Sequence, residues 1–164
     1  MSDPSLERRL ERIETQLAYT DLCSRYVHGV DKKELDTFAG CWTDDATWNL
    51  GPAWGSHTGL EMIVENVSNL HAAFFEMHHG TTNHQVTEYH EGAGRGRCDA
   101  LVPGTDAAGV ANVSCASYED RFVRGVDGEW RFTRRDITIH YLVPWLKPHS
   151  IDEITRGYSI GQPA

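Results

Sequence analysis

His78 and Asp31 are the side chains in this sequence whose types best suit proton-transfer chemistry. An imidazole titrates near neutral pH, so it can take a proton from carbon or oxygen and return it later. A carboxylate that accepts a hydrogen bond from the other ring nitrogen fixes the tautomer of the ring and raises its basicity. We therefore predict a dyad in which Asp31 orients His78 as a general base. The alternative is that Asp31 only caps a helix and that His78 bonds to backbone, because the spacing alone does not bring them together.

Three further polar residues, Tyr26, Arg135 and His140, are candidates for the same site. Strand alternation counted from Trp130 places Arg135 among apolar residues, where a lone charge needs either a partner or a function. The walls of the predicted pocket are aromatic, and small-molecule pockets are mostly apolar with a few converging polar groups. The candidate wall residues are Trp42, Trp48, Trp54, Phe74, Phe75, Tyr141 and Trp145.

The histidines between residues 71 and 90 raise the question of a metal site. Adjacent His78 and His79 point to opposite faces of an extended segment, and His78 and His84 are too far apart to share an ion without a bend. The sequence has no HExxH motif and no Cys/His spacing of a zinc site, so we expect no metal and no other cofactor. The four scattered cysteines are predicted to be small buried thiols.

The composition excludes several classes of partner. The 164-residue chain is long enough for one domain with a hydrophobic core, and we treat residues 1–164 as a single domain. Its 24 acidic residues exceed its 15 basic ones, and a nucleic-acid surface needs clustered positive charge, so no nucleic-acid partner is expected. Because no apolar run approaches a membrane span and the N-terminus lacks the apolar centre of a secretion signal, we expect a cytoplasmic protein without a membrane partner.

Helices are predicted for the first half of the chain. Apolar residues recur at three- and four-residue steps up to Tyr26, which predicts one long helix or two abutting ones, begun at Asp3-Pro4 and ended by a positive φ at Gly29. A short helix follows, with apolar residues between 35 and 42 at helical spacing. A third amphipathic helix is predicted from Leu60 to near Met77.

Strands are predicted for the second half. Asp127-Gly128 is a strong hairpin signal, and the run 103–106 is predicted to be a turn. The predicted strands are 46–50, 81–89, 92–102, 110–123 and 129–142. Helices first and then a meander of antiparallel strands is the α+β pattern, with the helices packed over a curved antiparallel sheet that encloses a pocket. The residues after Pro144 show little periodicity and are expected to wrap the surface or meet a neighbouring subunit.

Short motifs along nearly the full chain resemble those of SnoaL-like proteins. This family belongs to the cone-shaped α+β superfamily that includes nuclear transport factor two and ketosteroid isomerase. The resemblance is greatest to the group of scytalone dehydratase, hexachlorocyclohexane dehydrochlorinase and bile-acid 7α-dehydratase. The motifs are Gly29-Val30-Asp31-Lys32, Trp42-Thr43-Asp44-Asp45-Ala46-Thr47-Trp48, His78-His79-Gly80-Thr81, Tyr118-Glu119-Asp120-Arg121 and Gly128-Glu129-Trp130-Arg131-Phe132.

The resemblance implies roles for several residues. Asp31 and His78 match the Asp–His dyad of these enzymes, with His78 as the base. Tyr26 matches a catalytic tyrosine of the bile-acid enzyme, where the dehydrochlorinase has a different residue. Trp48 and Arg135 match pocket positions of the dehydrochlorinase. The arginine that the bile-acid enzyme carries on its last strand falls near Ile139 here, which argues against a bile-acid substrate.

These residues predict a cofactor-independent lyase of the dehydratase or dehydrohalogenase type. His78 abstracts a proton next to an activating group, Tyr26 assists the departure of hydroxide or halide, and Arg135 stabilises the developing negative charge. The aromatic walls predict a small hydrophobic cyclic substrate. The predicted substrate-binding residues are Trp48, Trp42, Phe74, Tyr141 and His140.

Two other functions remain open at this point. One is a steroid or polyketide isomerase or cyclase that uses the same dyad and returns the proton to the same molecule. The other is a non-catalytic domain, such as a ligand-binding domain or the small subunit of a larger enzyme, in which case Asp31 and His78 need not touch. The resemblance also implies a homotrimer or a homodimer.

Overall fold

The protein, described by a computed structural model for residues 4–144, has three helices and seven strands. The helices are α1 (Pro4–Asp31), α2 (Leu35–Ala39) and α3 (Leu60–Ala73). The strands are β1 (Trp42–Asn49), β2 (Ser56–Thr58), β3 (Phe74–Met77), β4 (Gly80–His90), β5 (Ala93–Asp106), β6 (Ala111–Arg124) and β7 (Trp130–Pro144). The α+β prediction is confirmed. The predicted tail and Trp145 lie outside the described residues. No described helix combines the length and the apolar character needed to cross a bilayer.

The strands form one sheet in the order β2-β1-β7-β6-β5-β3, and β4 also pairs with β5. The long hairpins β4–β5, β5–β6 and β6–β7 are antiparallel, as expected from a meander. The pairing of β1 with β7 is parallel, so the sheet is mixed and the prediction of a purely antiparallel sheet is wrong in this pair. Two parallel strands need a long connection, and here the connection consists of all the elements between β1 and β7. The resulting curled sheet is half a barrel with the helices across its open side.

Helix α1 runs unbroken through Gly29 to Asp31, so the predicted end at Gly29 is wrong. The glycine is required for another reason. A Cβ atom at this position would lie 2.7 Å from the backbone nitrogen and Cα of Phe38, which means that α2 can pack against α1 only where α1 has no side chain. The chain turns after α1 instead, at Lys33, whose φ is 58°.

Two predictions about chain segments near the site are also wrong. The third helix ends at Ala73, and Phe74–Met77 is a strand rather than the last turn of that helix. Residues 103–106 are the end of β5 rather than a turn, because they pair with β3 through Met77 and Gly104. Both segments take their structure from pairing with other strands, which local propensity does not report: β3 pairs with the end of β5, and the end of β5 also pairs with β6.

A cluster of aromatic side chains on α1, α2 and β1 joins the helices to the sheet. The Tyr26 ring packs against the rings of Phe38, Trp42 and Trp48 at centroid distances of 5.5–6.2 Å. All four side chains are buried, and aromatic rings bury the largest apolar areas of any residue type. This cluster fixes the C-terminal turns of α1, and therefore Tyr26 and Asp31, relative to the sheet.

Candidate active site

Asp31 and His79 form a buried hydrogen-bonded pair at the end of α1. Nδ1 of His79 lies 2.6 Å from Oδ1 of Asp31, and the backbone N–H of His79 donates to Oδ2 of the same carboxylate at 2.7 Å. Both side chains are less than a tenth exposed. The carboxylate thus fixes both the backbone and the ring of His79. Asp31 is therefore not the cap of α2: the residue in that position is Glu34, which makes no side-chain cap bond within the described chain.

His78, the predicted base, is not the partner of Asp31. Its Nε2 lies 2.8 Å from Oε1 of Glu76, and more than half of each side chain is exposed. The structure therefore does not bring the predicted pair of Asp31 and His78 together. The pair that the structure brings together is Asp31 and His79.

The reason for the difference is strand parity. Met77 ends β3 with its side chain buried, and the backbone stays extended beyond it, since the N–H of His78 donates to the carbonyl of Pro103. Successive side chains of an extended segment point to opposite faces, so His78 points outward and His79 inward like Met77. The sequence analysis placed the two histidines on opposite faces, but it placed Met77 in a helix and so had no buried neighbour to show which face is the inner one.

His79 lines a cavity of about 310 Å³ between α3 and the concave face of the sheet. Its walls are mainly apolar, as is usual for small-molecule sites. The predicted residues Tyr26, Trp48, Trp54 and Phe74 line this cavity. The apolar lining is completed by Leu50, Leu70, Ala73, Met77, Val102, Ala116, Tyr118, Ile137, Ile139 and Leu142.

Tyr26 lines the cavity, and Arg135 packs against its ring. Tyr26 is 1% exposed, and its ring lies edge-on to that of His79 with centroids 6.5 Å apart. The guanidinium carbon of Arg135 lies 4.3 Å from the centre of the Tyr26 ring. Burial raises the pKa of Tyr26, and the positive charge of Arg135 opposes this only in part. Tyr26 therefore presents a neutral phenol, which is a hydrogen-bond donor.

Arg135 itself is outside the cavity lining formed by residues 4–144. Its Nε and Nη2 each donate to Asp120 at 2.8 Å, and both side chains are fully buried. Tyr19 donates a further hydrogen bond to Asp120 at 2.7 Å. Burial alone lowers the pKa of Arg135, but the adjacent charge of Asp120 outweighs it and raises the pKa. Arg135 thus has the partner that a buried charge requires, and it supports the site from behind Tyr26.

Three other predicted substrate-binding residues do not line the cavity. Trp42 is buried in the aromatic cluster behind Trp48. His140 lies on the outer face of the sheet, where its Nε2 is 2.8 Å from the Ser117 hydroxyl. Tyr141 is 46% exposed, and the next residue, Leu142, lines the cavity in its place.

A bulge in β7 explains the exchange of Tyr141 for Leu142. Ile139 pairs with Ala116 and Tyr141 pairs with Cys115, so β7 contains one extra residue at this point. A bulge of one residue shifts the alternation of all side chains beyond it. The alternation therefore holds from Arg134 to Ile139 and reverses after Ile139. A second register shift lies between Phe132 and Arg134, so the count cannot be carried from Trp130 itself.

The sequence analysis did not single out His79 or a group of short polar residues around the cavity. The latter are Asn66, Asn69, Asn112 and Ser114. Asn66 and Asn69 are three residues apart on α3, on the side of the helix that also carries Leu70 and Ala73 into the cavity. The spacing of the two asparagines can be read from the sequence, but it indicates a site only once α3 is known to cover the cavity.

Comparison with known proteins agrees with this architecture. The model of the SnoaL-like domain matches residues 11–136. The gamma-hexachlorocyclohexane dehydrochlorinase of Sphingobium indicum is 29% identical over 137 residues, which is 82% of this chain and 86% of that protein. A crystal structure of a type 2 hexachlorocyclohexane dehydrochlorinase superposes with a TM-score of 0.79 at 27% identity, over 87% of this chain and 96% of that one.

A scytalone dehydratase-like protein of Novosphingobium aromaticivorans shares the fold alone, with a TM-score of 0.74 at 18% identity over 82% of this chain and 89% of that one. The dehydrochlorinases are lyase-type enzymes, and the matches to them cover most of this chain. The half-barrel sheet, the helices across it and the family match over residues 11–136 lead to one conclusion. This chain belongs to the SnoaL-like domain family.

Proposed function

We propose that this protein is a cofactor-independent lyase that removes a proton and a leaving group from adjacent carbons of a small hydrophobic cyclic substrate. The observation that carries the proposal is the buried pair of Asp31 and His79 at the wall of an apolar cavity. A carboxylate–imidazole pair at such a place is suited to general base catalysis, because the base is oriented and water is largely excluded.

His79 is the base in this reaction. Its Nδ1–H is donated to Asp31, which leaves Nε2 as the ring nitrogen that can accept a proton from the substrate. As the C–H bond breaks, its electron pair forms the new double bond, and the leaving group departs from the adjacent carbon with the electron pair of its own bond. The imidazolium that results is stabilised by the Asp31 carboxylate.

Tyr26 assists the leaving group. Its phenol is neutral and close to His79, so it can donate a hydrogen bond to an oxygen or halide that gains negative charge. Arg135 lies over the other side of the Tyr26 ring and is a positioning residue rather than a direct contact of the substrate. Hydroxide and halide are both accommodated by this arrangement.

The cavity supports the substrate class. A volume of about 310 Å³ is at the lower end of the range of small-molecule sites, which is about 300–1,000 Å³. Trp48, Trp54 and Phe74 provide flat apolar walls. A single substituted ring with one activating group fits this space, whereas a four-ring steroid fills more than the enclosed part.

The test is to measure proton abstraction and group loss separately. In D2O, exchange of the proton next to the carbonyl of cyclic ketones reports the first step, and it needs no leaving group. Release of chloride from γ-hexachlorocyclohexane, and enone formation from a cyclic β-hydroxy ketone, report complete elimination. Exchange without loss of mass, with the double bond moved, would instead indicate an isomerase.

The adjacent histidines supply a matched control. His79→Ala is expected to lower the rate of any reaction found by a factor of about 10²–10⁴, the usual contribution of a general base. His78→Ala is expected to leave that rate unchanged, since this side chain is exposed and bound to Glu76. The proposal is rejected if wild-type protein exchanges protons no faster than His79→Ala on every probe, or if the two variants lose activity equally.

A further inference from the structure

Cys23, His84 and Cys98 form a cluster behind Arg135, apart from the cavity. The two sulfur atoms and a ring nitrogen of His84 all lie within 4.8 Å of one another. Both cysteines are free and buried, at 0% and 2% exposure. Nε2 of His84 is buried and has no hydrogen-bond partner among the described residues. An unpartnered buried ring nitrogen beside two thiols is unusual, because buried polar atoms are nearly always bonded.

Three different elements bring these residues together. Cys23 is on α1, His84 on β4 and Cys98 on β5. The β4–β5 register shifts between Thr82 and Gln85, and Asn83 has a φ of 57°, which marks a bulge next to His84. Bulges redirect a side chain, and here the bulge turns His84 beneath α1. Since the ligands come from separate elements, their spacing in the sequence carries no metal motif.

Gln16 of α1 holds the β4 backbone at this point. Its amide nitrogen donates to the carbonyl of His84 at 3.2 Å, and its oxygen accepts from the N–H of Val86 at 3.0 Å. The Tyr19 ring lies edge-on to the His84 ring, with centroids 6.2 Å apart. His84 is therefore held in place independently of any bond made by its own Nε2.

The surroundings favour the thiolate form of Cys23. Nη2 of Arg135 donates to its sulfur at 3.3 Å. A positive charge this close to the sulfur stabilises the thiolate relative to the thiol. Thiolates are the form of cysteine that binds metal ions.

We propose that Cys23, Cys98 and His84 form a binding site for a thiophilic cation, Zn²⁺ or Cu⁺. Thiolate and imidazole ligands are those that select these ions. In a zinc site with bonds of about 2.3 Å to sulfur and about 2.0–2.1 Å to nitrogen, ligand atoms lie roughly 3.5–3.8 Å apart. From a separation of 4.8 Å, the ligand atoms reach that geometry by moving together by roughly 1.0–1.3 Å. Three buried ligands suit Cu⁺ directly, and Zn²⁺ requires a water as its fourth ligand.

The surrounding charges are compatible with the ion. Arg135 and Asp120 neutralise each other, so two thiolates and a divalent cation form a neutral site. Arg135 keeps its N–H···S bond to Cys23, as outer groups commonly do around metal-bound ligands. An ion at this position ties α1 to β4 and β5.

The experiment is metal uptake by the full chain under reducing, oxygen-free conditions after treatment with a chelator. The protein is dialysed against Zn²⁺ alone or titrated with Cu⁺ against a competing chelator, and bound metal is measured by mass spectrometry. Uptake of one ion per chain is expected, and the arm that shows it identifies the ion. Co²⁺ serves as a spectroscopic probe, because thiolate ligands give it an intense near-ultraviolet charge-transfer band.

Cys98→Ser and His84→Asn are expected to abolish uptake. Cys115→Ser and His90→Ala are the matched controls, since these residues lie on β6 and at the end of β4, outside the cluster, and they should leave uptake unchanged. The charge-transfer band and protection of both thiols from alkylation test the wild-type protein directly, even where a variant does not fold. Absence of uptake in both arms, or equal loss of uptake in the controls, overturns the proposal; absence of the Co²⁺ band together with Zn²⁺ uptake shows that the zinc is bound elsewhere and overturns it as well.

Discussion

The buried pair of Arg135 and Asp120 gives the sharpest prediction about stability. Asp120→Asn keeps the shape of the side chain and removes its charge. Both partners are fully buried, and Arg135 makes two hydrogen bonds to the carboxylate that the amide cannot reproduce. Because an arginine guanidinium keeps its proton in proteins, the variant leaves a buried positive charge without its carboxylate partner.

Removing one partner of a buried ion pair costs about 3–5 kcal/mol. For a domain of this size, each kcal/mol lowers Tm by roughly 2–4 °C, so a fall of roughly 6–20 °C is expected. The free energy of unfolding is measured by urea titration followed by tryptophan fluorescence, and Tm by circular dichroism. The matched control is Asp127→Asn, which breaks an equally bidentate pair with Arg131 at the protein surface. That change should have a much smaller effect because solvent screens the pair.

A double variant shows how much of the loss of stability comes from the lost attraction and how much comes from leaving a single charge buried. Replacing Asp120 by leucine and Arg135 by methionine removes both charges, and such replacements are often neutral or stabilising. The double variant should therefore be more stable than Asp120→Asn. The reasoning is refuted if Asp120→Asn costs no more than Asp127→Asn, or if the double variant is less stable than the single one.

Two further predictions concern single positions. Hydrogen bonds from Arg131 lower the pKa of Asp127 to about 2. The contribution of Asp127 to stability is therefore present above its ordinary pKa near 3.8 and is lost as the pH falls toward 2. Asp127→Asn should remove this part of the acid-induced shift of the urea midpoint, and an unchanged shift would contradict the prediction. Gly29→Ala places a methyl group 2.7 Å from the backbone of Phe38 and should cost about 1–3 kcal/mol in urea titrations, whereas the control Gly40→Ala, with a nearest contact at 3.3 Å, should cost distinctly less. Equal costs for the two alanine variants would exclude the proposed contact between α1 and α2.

The elements with strong local periodicity could be predicted from the sequence. Helices α1 and α3 and the β6–β7 hairpin were found because their apolar residues recur at helical or strand spacing and because Asp127-Gly128 marks the turn. The strand Phe74–Met77 was missed, since it exists only through its pairing with the end of β5. Such a pairing joins segments far apart in the sequence and leaves no local pattern.

The error in the dyad follows from that missed strand. Asp31 was recognised from its type and its place at the end of a helix, but the choice between His78 and His79 depends on which face of the chain each one occupies. With β3 known, burial of Met77 assigns His79 to the inner face. The location of Arg135 was predicted correctly as a buried charge, whereas its partner Asp120 could not be chosen among many carboxylates without the β6–β7 register.

The bulge in β7 also makes the cavity wall tolerant of a change in the length of the last strand. Ile139 and Tyr141 pair with consecutive residues of β6, so His140 is the extra residue of the bulge. Deleting His140 leaves Ile139, Tyr141 and Leu142 in simple alternation, and Leu142 keeps its place in the cavity wall. Proteins of this design can therefore gain or lose one residue at this point of the strand without a change in the lining of the cavity.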